Sequence, residues 1–184
     1  MPKAFDNLRV QKAIEVFGVK ILGRTSVCSQ FEAFLYQIRA GGRRAVEIGT
    51  YNGISTMILA QFFEEVVALT WEEPIADRSL KYKVWDAVGV KNIRAIELAN
   101  DYEKPEAMAK LDFNFAYLDG NHLQHTDSDF ALTKHCGRVL FHEYWPLQPP
   151  VWNLVRSLPP SEVTVADYDC LAYWEASAQH DLQL

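Results

Sequence analysis

Apolar residues recur along the chain in two alternating patterns. Short continuous runs such as Val66 to Thr70 are typical of parallel strands that are buried on both faces. Other segments space their apolar residues at i, i+3, i+4 and i+7, as residues 31–38 do after a possible cap at Ser29. The alternation predicts strands at 44–48, 66–70, 92–98, 114–118 and 139–141, with helices at 54–63, 77–88, 105–111 and 126–136 between them.

The last forty or so residues follow a different pattern. Pro149 and Pro150 begin a helix that reaches Leu158, and two apolar runs follow at 162–166 and 171–174. The gap between these runs is too short for a helical crossover, so they should pair antiparallel as a hairpin. The sequence therefore predicts an α/β, Rossmann-like fold with a seven-stranded mixed sheet, a C-terminal antiparallel hairpin and helices on both faces.

The size and composition of the chain favour one globular domain. Its 184 residues are 49% hydrophobic and 23% charged. We expect residues 1–184 to form this domain, with N-terminal helices in 1–42, a cofactor-binding core in 43–145, and the C-terminal helix and hairpin in 146–184.

Charge and cysteine content exclude several kinds of partner. A net charge of −6 repels phosphate backbones, and no apolar run is long enough to span a bilayer, so we expect neither nucleic acid nor a membrane as partner. We see no signal peptide, and three widely spaced cysteines suit a reducing compartment, which predicts a cytoplasmic protein.

The most informative segment joins the first predicted strand to the next helix. The predicted strand carries an acid, Glu47, near its end, and glycines follow at 49 and 53 before residues that can open a helix. Glycines allow sharp turns and close approach of the backbone, and a helix N-terminus presents free N–H groups, so the segment is suited to a nucleotide-like cofactor. Tyr51 stands where a dinucleotide-binding loop has its middle glycine, which disfavours a pyrophosphate ligand.

Three segments, in this order, carry a resemblance to a known family. They are EIGTYNGIS at 47–55, FNFAYLDGNH at 113–122 and GRVLFHEYW at 137–145. The chain resembles the class I S-adenosylmethionine-dependent methyltransferases, in particular the small O-methyltransferases that act on catechols and sugars. The resemblance implies the methyltransferase variant of the Rossmann-like fold, S-adenosylmethionine as cofactor, and methyl transfer to a hydroxyl of a small molecule.

The resemblance also implies roles for individual residues. Glu47 orients the loop or the methionine amino group, Gly49 and Gly53 leave room, and Tyr51 and Ser55 hold the methionine end. The implied cofactor-binding residues are Glu47, Gly49, Thr50, Tyr51, Gly53, Ser55, Thr70, Glu72, Asp101 and Asp119.

Two of these assignments have an alternative. The family places an acid at the end of its second strand to bind the ribose; here that position is Thr70, and Glu72 either reaches back or begins a solvated acidic turn. Asp101 either contacts the adenine or caps the next helix.

Polar residues after the fourth and fifth strands are the candidates for catalysis. Asp119 and His122 have the acid–histidine spacing of some sugar O-methyltransferases, so His122 is the candidate base. Asp119 and Glu143 should lie close enough to repel unless a cation bridges them, which makes Asp119, Glu143 and His142 candidate ligands of Mg²⁺. The family usually has two adjacent acids where this chain has His142 and Glu143, so a site without metal is the alternative.

These inferences favour a methyltransferase and leave two alternatives open. One is an inactive or regulatory domain with the same fold, and the other is an NAD-type oxidoreductase. Tyr144, Trp145 and Trp152 either wall a substrate pocket or simply pack. An acceptor pocket that is open, or completed by a second subunit in a homo-oligomer, fits a chain without an inserted cap.

Overall fold

The computed structural model describes residues 8–17, 30–71, 79–121, 123–166 and 170–177 of the chain. The helices are α1 (Leu8–Phe17), α2 (Phe31–Gln37), α3 (Ile54–Leu59), α4 (Ser79–Val88), α5 (Lys104–Ala109), α6 (Thr126–Thr133) and α7 (Pro149–Ser157). The strands are β1 (Gly42–Ile48), β2 (Phe63–Trp71), β3 (Ile93–Leu98), β4 (Phe115–Leu118), β5 (Arg138–His142), β6 (Val163–Val165) and β7 (Leu171–Glu175). Short 3₁₀ turns lie at Asp101–Glu103, Lys134–Cys136 and Pro160–Glu162.

The strands form one seven-stranded sheet in the order β3-β2-β1-β4-β5-β7-β6. β1 to β5 are parallel, whereas β7 is antiparallel to both β5 and β6. This confirms the predicted mixed sheet with its C-terminal hairpin. The strand order reverses beside β1, so the loops after β1 and β4 meet at the carboxyl edge of the sheet, where such folds bind ligands.

Alternate residues of the strands feed two apolar cores, one on each face of the sheet. In β1, Ala45 belongs to the core that includes side chains of α1 to α4, and Val46 and Ile48 belong to the core that includes side chains of α5, α6 and α7. Glu47 points to the same face as Ala45 because side chains alternate along a strand. A carboxyl group is therefore placed beneath α3.

The opposite, amino edge of the sheet is tied together by Arg138. Its guanidinium donates hydrogen bonds to the Tyr173 hydroxyl (3.0 Å), the Gly41 carbonyl (2.9 Å) and the Arg39 carbonyl (3.1 Å). One side chain thus joins β5, β7 and the segment that leads into β1.

Two predicted boundaries are wrong around β2. Helix α3 ends at Leu59 rather than at residue 63, and β2 begins at Phe63 and continues to Trp71, which pairs with Leu98. The additional strand residues are held by pairing with β1, reinforced by an Arg44–Glu65 ion pair of 2.6 Å. The proposed cap Ser29 and the start of the predicted helix at 77 lie outside the described residues, and Gln30 at the N-terminus of α2 makes no capping bond through its side chain. No helix in the described part of the chain is both long and apolar enough to cross a membrane.

Candidate functional site

The loop after β1 is pressed against the loop after β4. Gly49 has a φ of +94°, and a Cβ at this position would lie 2.2 Å from the carbonyl oxygen of Asp119 and 2.7 Å from the Cα of Gly120. The Gly49 N–H donates to the Leu69 carbonyl at 3.1 Å. Glycine is therefore required here because two backbone segments touch.

Gly53 has a similar role at the other end of the loop. Its φ is +78°, and a Cβ would lie 2.4 Å from Nε1 of Trp85, whose indole N–H donates to the Gly53 carbonyl at 2.9 Å. The room provided by both glycines is thus filled by protein. Between them Tyr51 adopts a left-handed φ of +44°, and the Thr50 hydroxyl donates to the Leu69 carbonyl at 3.3 Å.

Glu47 is a fully buried acid beneath this loop. The hydroxyls of Ser55 and Thr56, in the first turn of α3, both donate to its carboxylate. Burial raises the pKa of Glu47 to about 8, although these donors favour the ionised form. The contacts support the expected role in orienting the loop, and they engage the Ser55 hydroxyl with Glu47.

Thr70 does not stand at the end of its strand. It pairs with Glu97 inside the β2–β3 ladder, its side chain is buried, and its hydroxyl accepts a 3.1 Å hydrogen bond from the buried Lys81 of α4. β2 continues through Trp71, and Glu72 lies outside the described residues.

Asp101 belongs to a network of charges between the segments that follow β3 and β4. Its Oδ1 lies 3.0 Å from the Lys104 ammonium and its Oδ2 lies 3.2 Å from Nε2 of His125, while Lys104 also pairs with the buried Asp129 at 2.5 Å. Burial raises the pKa of Asp129 although the Lys104 ammonium opposes the shift. The capping interpretation of Asp101 is wrong, because Asn100 accepts from the Tyr102 N–H at 3.0 Å and caps the turn.

Asp119 pairs with a histidine of the neighbouring strand. Nδ1 of His142 lies 2.7 Å from Oδ1 of Asp119, and the two side chains are only 4% and 6% exposed. The other oxygen, Oδ2, accepts a 3.2 Å hydrogen bond from the Tyr117 hydroxyl. Oδ1 therefore lies against an imidazole nitrogen that makes no hydrogen bond, whereas Oδ2 has a protein donor.

This donor arrangement does not fit the expected Mg²⁺ site. The imidazole of His142, rather than a cation shared with Glu143, is the partner of Asp119. Glu143 is half-buried and has a left-handed φ of +55°. No group of three or more His, Cys, Asp or Glu side chains is arranged to hold a metal ion in the portion of the chain that the structure describes. The metal prediction is not supported.

The remaining predictions concern the candidate base and the aromatic residues that follow β5. His122, the candidate base, lies outside the described residues. Of the three candidate aromatic residues, Tyr144 is buried and stacks on Trp152 with 4.8 Å between ring centroids, whereas Trp145 is 42% exposed.

Sequence analysis missed four contributors to the site, Tyr117, Lys81, Trp85 and Lys104. The signal for the two lysines was a charge on a helix face that is otherwise apolar.

Comparison with known proteins identifies the fold. No protein-family model matches the chain, and no curated protein matches it. Among solved structures, an O-methyltransferase from Bacillus cereus in complex with SAH has a TM-score of 0.65 at 17% identity and covers 90% of this chain and 91% of its own.

Two further structures align over similar lengths. Cofactor-bound Rv0187 from MTB has a TM-score of 0.66 at 16% identity, with 95% of this chain and 98% of its own covered. The O-methyltransferase TomG from Streptomyces achromogenes, involved in tomaymycin synthesis and in complex with SAM, has a TM-score of 0.65 at 15% identity, with 93% and 91% covered. The chain therefore has the Rossmann-like fold of the class I methyltransferases.

Proposed function

We propose that this protein is an S-adenosylmethionine-dependent methyltransferase that methylates a hydroxyl of a small molecule. The main support is the backbone contact between Gly49 and Asp119, which holds the candidate cofactor loop against the candidate catalytic carboxylate at the carboxyl edge of the sheet. Transfer between two bound molecules requires this kind of juxtaposition, because the reacting atoms must be aligned closely.

The residues of the edge suit the parts of the cofactor. Glu47 joins the end of β1 to the first turn of α3 through Ser55 and Thr56, and so holds the two ends of the loop of residues 49–53 together. Glu72, two residues after Thr70 in the chain, is the better candidate for the ribose hydroxyls, since Thr70 is buried against Lys81. Asp101 lies in the segment after β3, where its carboxylate contacts Lys104 and His125, and it is the candidate for the adenine.

The chemistry needs a proton acceptor near the acceptor oxygen. When bound, S-adenosylmethionine supplies a methyl group on a positively charged sulfur. Asp119 and the histidines near it are the groups at this edge that can take up the proton of a hydroxyl, and His122 remains the candidate from the sequence. Trp145, which follows β5 in the chain and is partly exposed, is a candidate wall for the acceptor.

Calorimetry tests the proposal directly. We expect heat of binding with S-adenosylmethionine and S-adenosylhomocysteine, none with NAD, and weaker binding of S-adenosylhomocysteine by Gly49→Ala, in which the cofactor loop must move. Formation of S-adenosylhomocysteine is then measured with a panel of catechols, phenols and sugars. Heat with NAD alone would overturn the proposal, and binding without turnover on any acceptor would favour an inactive or regulatory domain.

A further inference from the structure

A cleft lies at the amino edge of the sheet, opposite the candidate site. It has a volume of about 690 Å³ and is lined by the end of α6 with the 3₁₀ turn that follows, by the start of β5 and by the end of β7. Sites that bind small molecules commonly have volumes in this range. None of the residues that line the cleft belongs to the candidate cofactor or catalytic residues.

The cleft carries an excess of positive charge in a chain whose net charge is −6. The described residues that line it include Lys134, His135 and Arg138, with Glu175 as the acid among them. Arg138 donates to carbonyl and hydroxyl oxygens, which satisfy its N–H groups without cancelling its charge. Its Nε lies 3.8 Å from Oε1 of Glu175, whose side chain is 59% exposed. The two strong bases exceed the acid even when the imidazole is neutral.

Lys134 is the basic residue that is most available to a ligand. Its side chain is exposed, and neither Lys134 nor His135 forms an ion pair with any residue that the structure describes. The His135 ring is held against Phe113 at 4.9 Å between centroids. The last turn of a helix also favours cations by itself, and this role requires no ligand. Measurement of binding therefore separates the two explanations.

The rest of the wall is largely apolar. Trp174 packs edge to face on Phe130, and its indole N–H donates to Glu162 at 2.9 Å, so it offers the cleft ring surface rather than a donor. The Cys136 thiol donates to the Arg138 carbonyl at 3.2 Å, and burial raises its pKa to about 11. A thiol with this pKa is neutral at physiological pH and acts as an apolar group.

We propose that this cleft binds a small organic monoanion with an aromatic body, such as an aryl carboxylate. The carboxylate pairs with the Lys134 ammonium, and the ring packs on Trp174. A second negative charge on the ligand is disfavoured because Glu175 shares the cleft and repels it. The proposal is independent of methyl transfer, since the cleft and the candidate site lie at opposite edges of the sheet.

The test uses the full chain, with 2-naphthoate as the probe and the neutral 2-naphthamide as its matched analogue. Binding is followed by ¹H–¹⁵N NMR of the indole N–H groups, and the Trp174 and Trp145 signals are assigned by their loss in Trp174→Phe and Trp145→Phe. We expect 2-naphthoate to shift the Trp174 signal with saturation and 2-naphthamide to bind more weakly. Shifts without saturation, or equal affinity for the two probes, would overturn the proposal.

Charge variants then locate the site of the anion. Lys134→Met should weaken binding of 2-naphthoate by about 2- to 5-fold, the usual contribution of an exposed ion pair. Glu175→Gln should tighten binding by a similar factor, a gain that a damaged fold would not produce. Lys91→Met is the matched control, because Lys91 is an exposed lysine that pairs with Asp86 before β3, at the far end of the sheet. Equal affinities in Lys134→Met and Lys91→Met would contradict the assignment.

Competition separates this cleft from the candidate active site. We expect saturating S-adenosylhomocysteine to leave the affinity for 2-naphthoate unchanged, whether or not it binds at the carboxyl edge. Displacement of 2-naphthoate by S-adenosylhomocysteine, or shifts at Trp145 in place of Trp174, would place the anion at the carboxyl edge and overturn the proposal. Failure of S-adenosylhomocysteine to bind concerns the proposed function alone, so the two failures are distinguishable.

Discussion

The close contact between the loops after β1 and β4 can be measured with a pair of glycine substitutions. Gly49→Ala introduces a Cβ at 2.2 Å from the Asp119 carbonyl oxygen and 2.5 Å from its carbonyl carbon, where φ is +94°. Gly89→Ala is a matched control, because Gly89 also has a left-handed φ, of +76°, but a Cβ there would meet nothing within 4 Å. Both variants place alanine in a left-handed backbone conformation, but only Gly49→Ala brings a Cβ into contact with neighbouring backbone atoms.

The expected magnitudes follow from these two contributions. A left-handed backbone costs alanine about 1–2 kcal/mol, and this should be most of the loss in Gly89→Ala. Displacement of backbone by an added methyl group contributes about 1–3 kcal/mol more, so Gly49→Ala should lose about 2–5 kcal/mol. In a chain of this size the difference corresponds to a midpoint lower by about 2–12 °C.

Urea unfolding followed by far-ultraviolet circular dichroism gives the free energies of unfolding, and calorimetry with S-adenosylhomocysteine gives the affinities. Only Gly49→Ala should weaken ligand binding, because only there must the cofactor loop or the Asp119 backbone move. Equal losses of stability in the two variants, with equal affinities, would refute the argument that the two loops are in contact.

Two further predictions concern buried charges. The folded-state pKa of Glu47 is about 8 against an ordinary 4.5, so the folded protein holds a proton that the unfolded chain has lost between these values. The free energy of unfolding should therefore fall as pH rises through this window, and Glu47→Gln should flatten the fall in urea titrations at several pH values. Lys104→Met leaves the buried Asp129 without its ammonium partner and should cost about 3–5 kcal/mol in the same assay. The exposed Lys110→Met should cost less than about 1 kcal/mol.

Each of these predictions has a clear contrary result. Parallel pH dependence in the wild type and Glu47→Gln would show that this carboxyl group does not hold a proton on folding. Equal destabilisation by the two lysine variants would show that burial of the ion pair is unimportant.

The positions of the buried strands along the chain were predictable because such strands are continuous apolar runs. The run at 66–70 identified β2, and the short gap before Leu171 identified the hairpin. The start of β2 was missed because Glu64 and Glu65 are polar, and this part of the strand is held by the Arg44–Glu65 ion pair and by pairing with β1. Sequence periodicity reports burial, whereas pairing of polar strand ends depends on the neighbouring strand.

The candidate site was predictable only in its local turns. Turns at Gly49 and Gly53 were expected from the sequence. The space beside these glycines is filled by the backbone of Asp119 and the indole of Trp85, which come from distant positions in the chain. His125 lies 3.2 Å from Asp101 and is half-buried. Ion pairs of this kind join separate loops, so neither partner carries a local signature.

Arg138 stabilises the amino edge of the sheet, the edge opposite the candidate site. Its guanidinium fastens three segments at the amino edge through hydrogen bonds of 2.9 to 3.1 Å, far from the loops that carry the candidate chemistry. A library of substitutions in the loops that follow the strands would therefore vary the acceptor preference while the fastened end preserves the scaffold. The same separation would allow substitutions during evolution to change the acceptor without loss of the contacts that stabilise the fold.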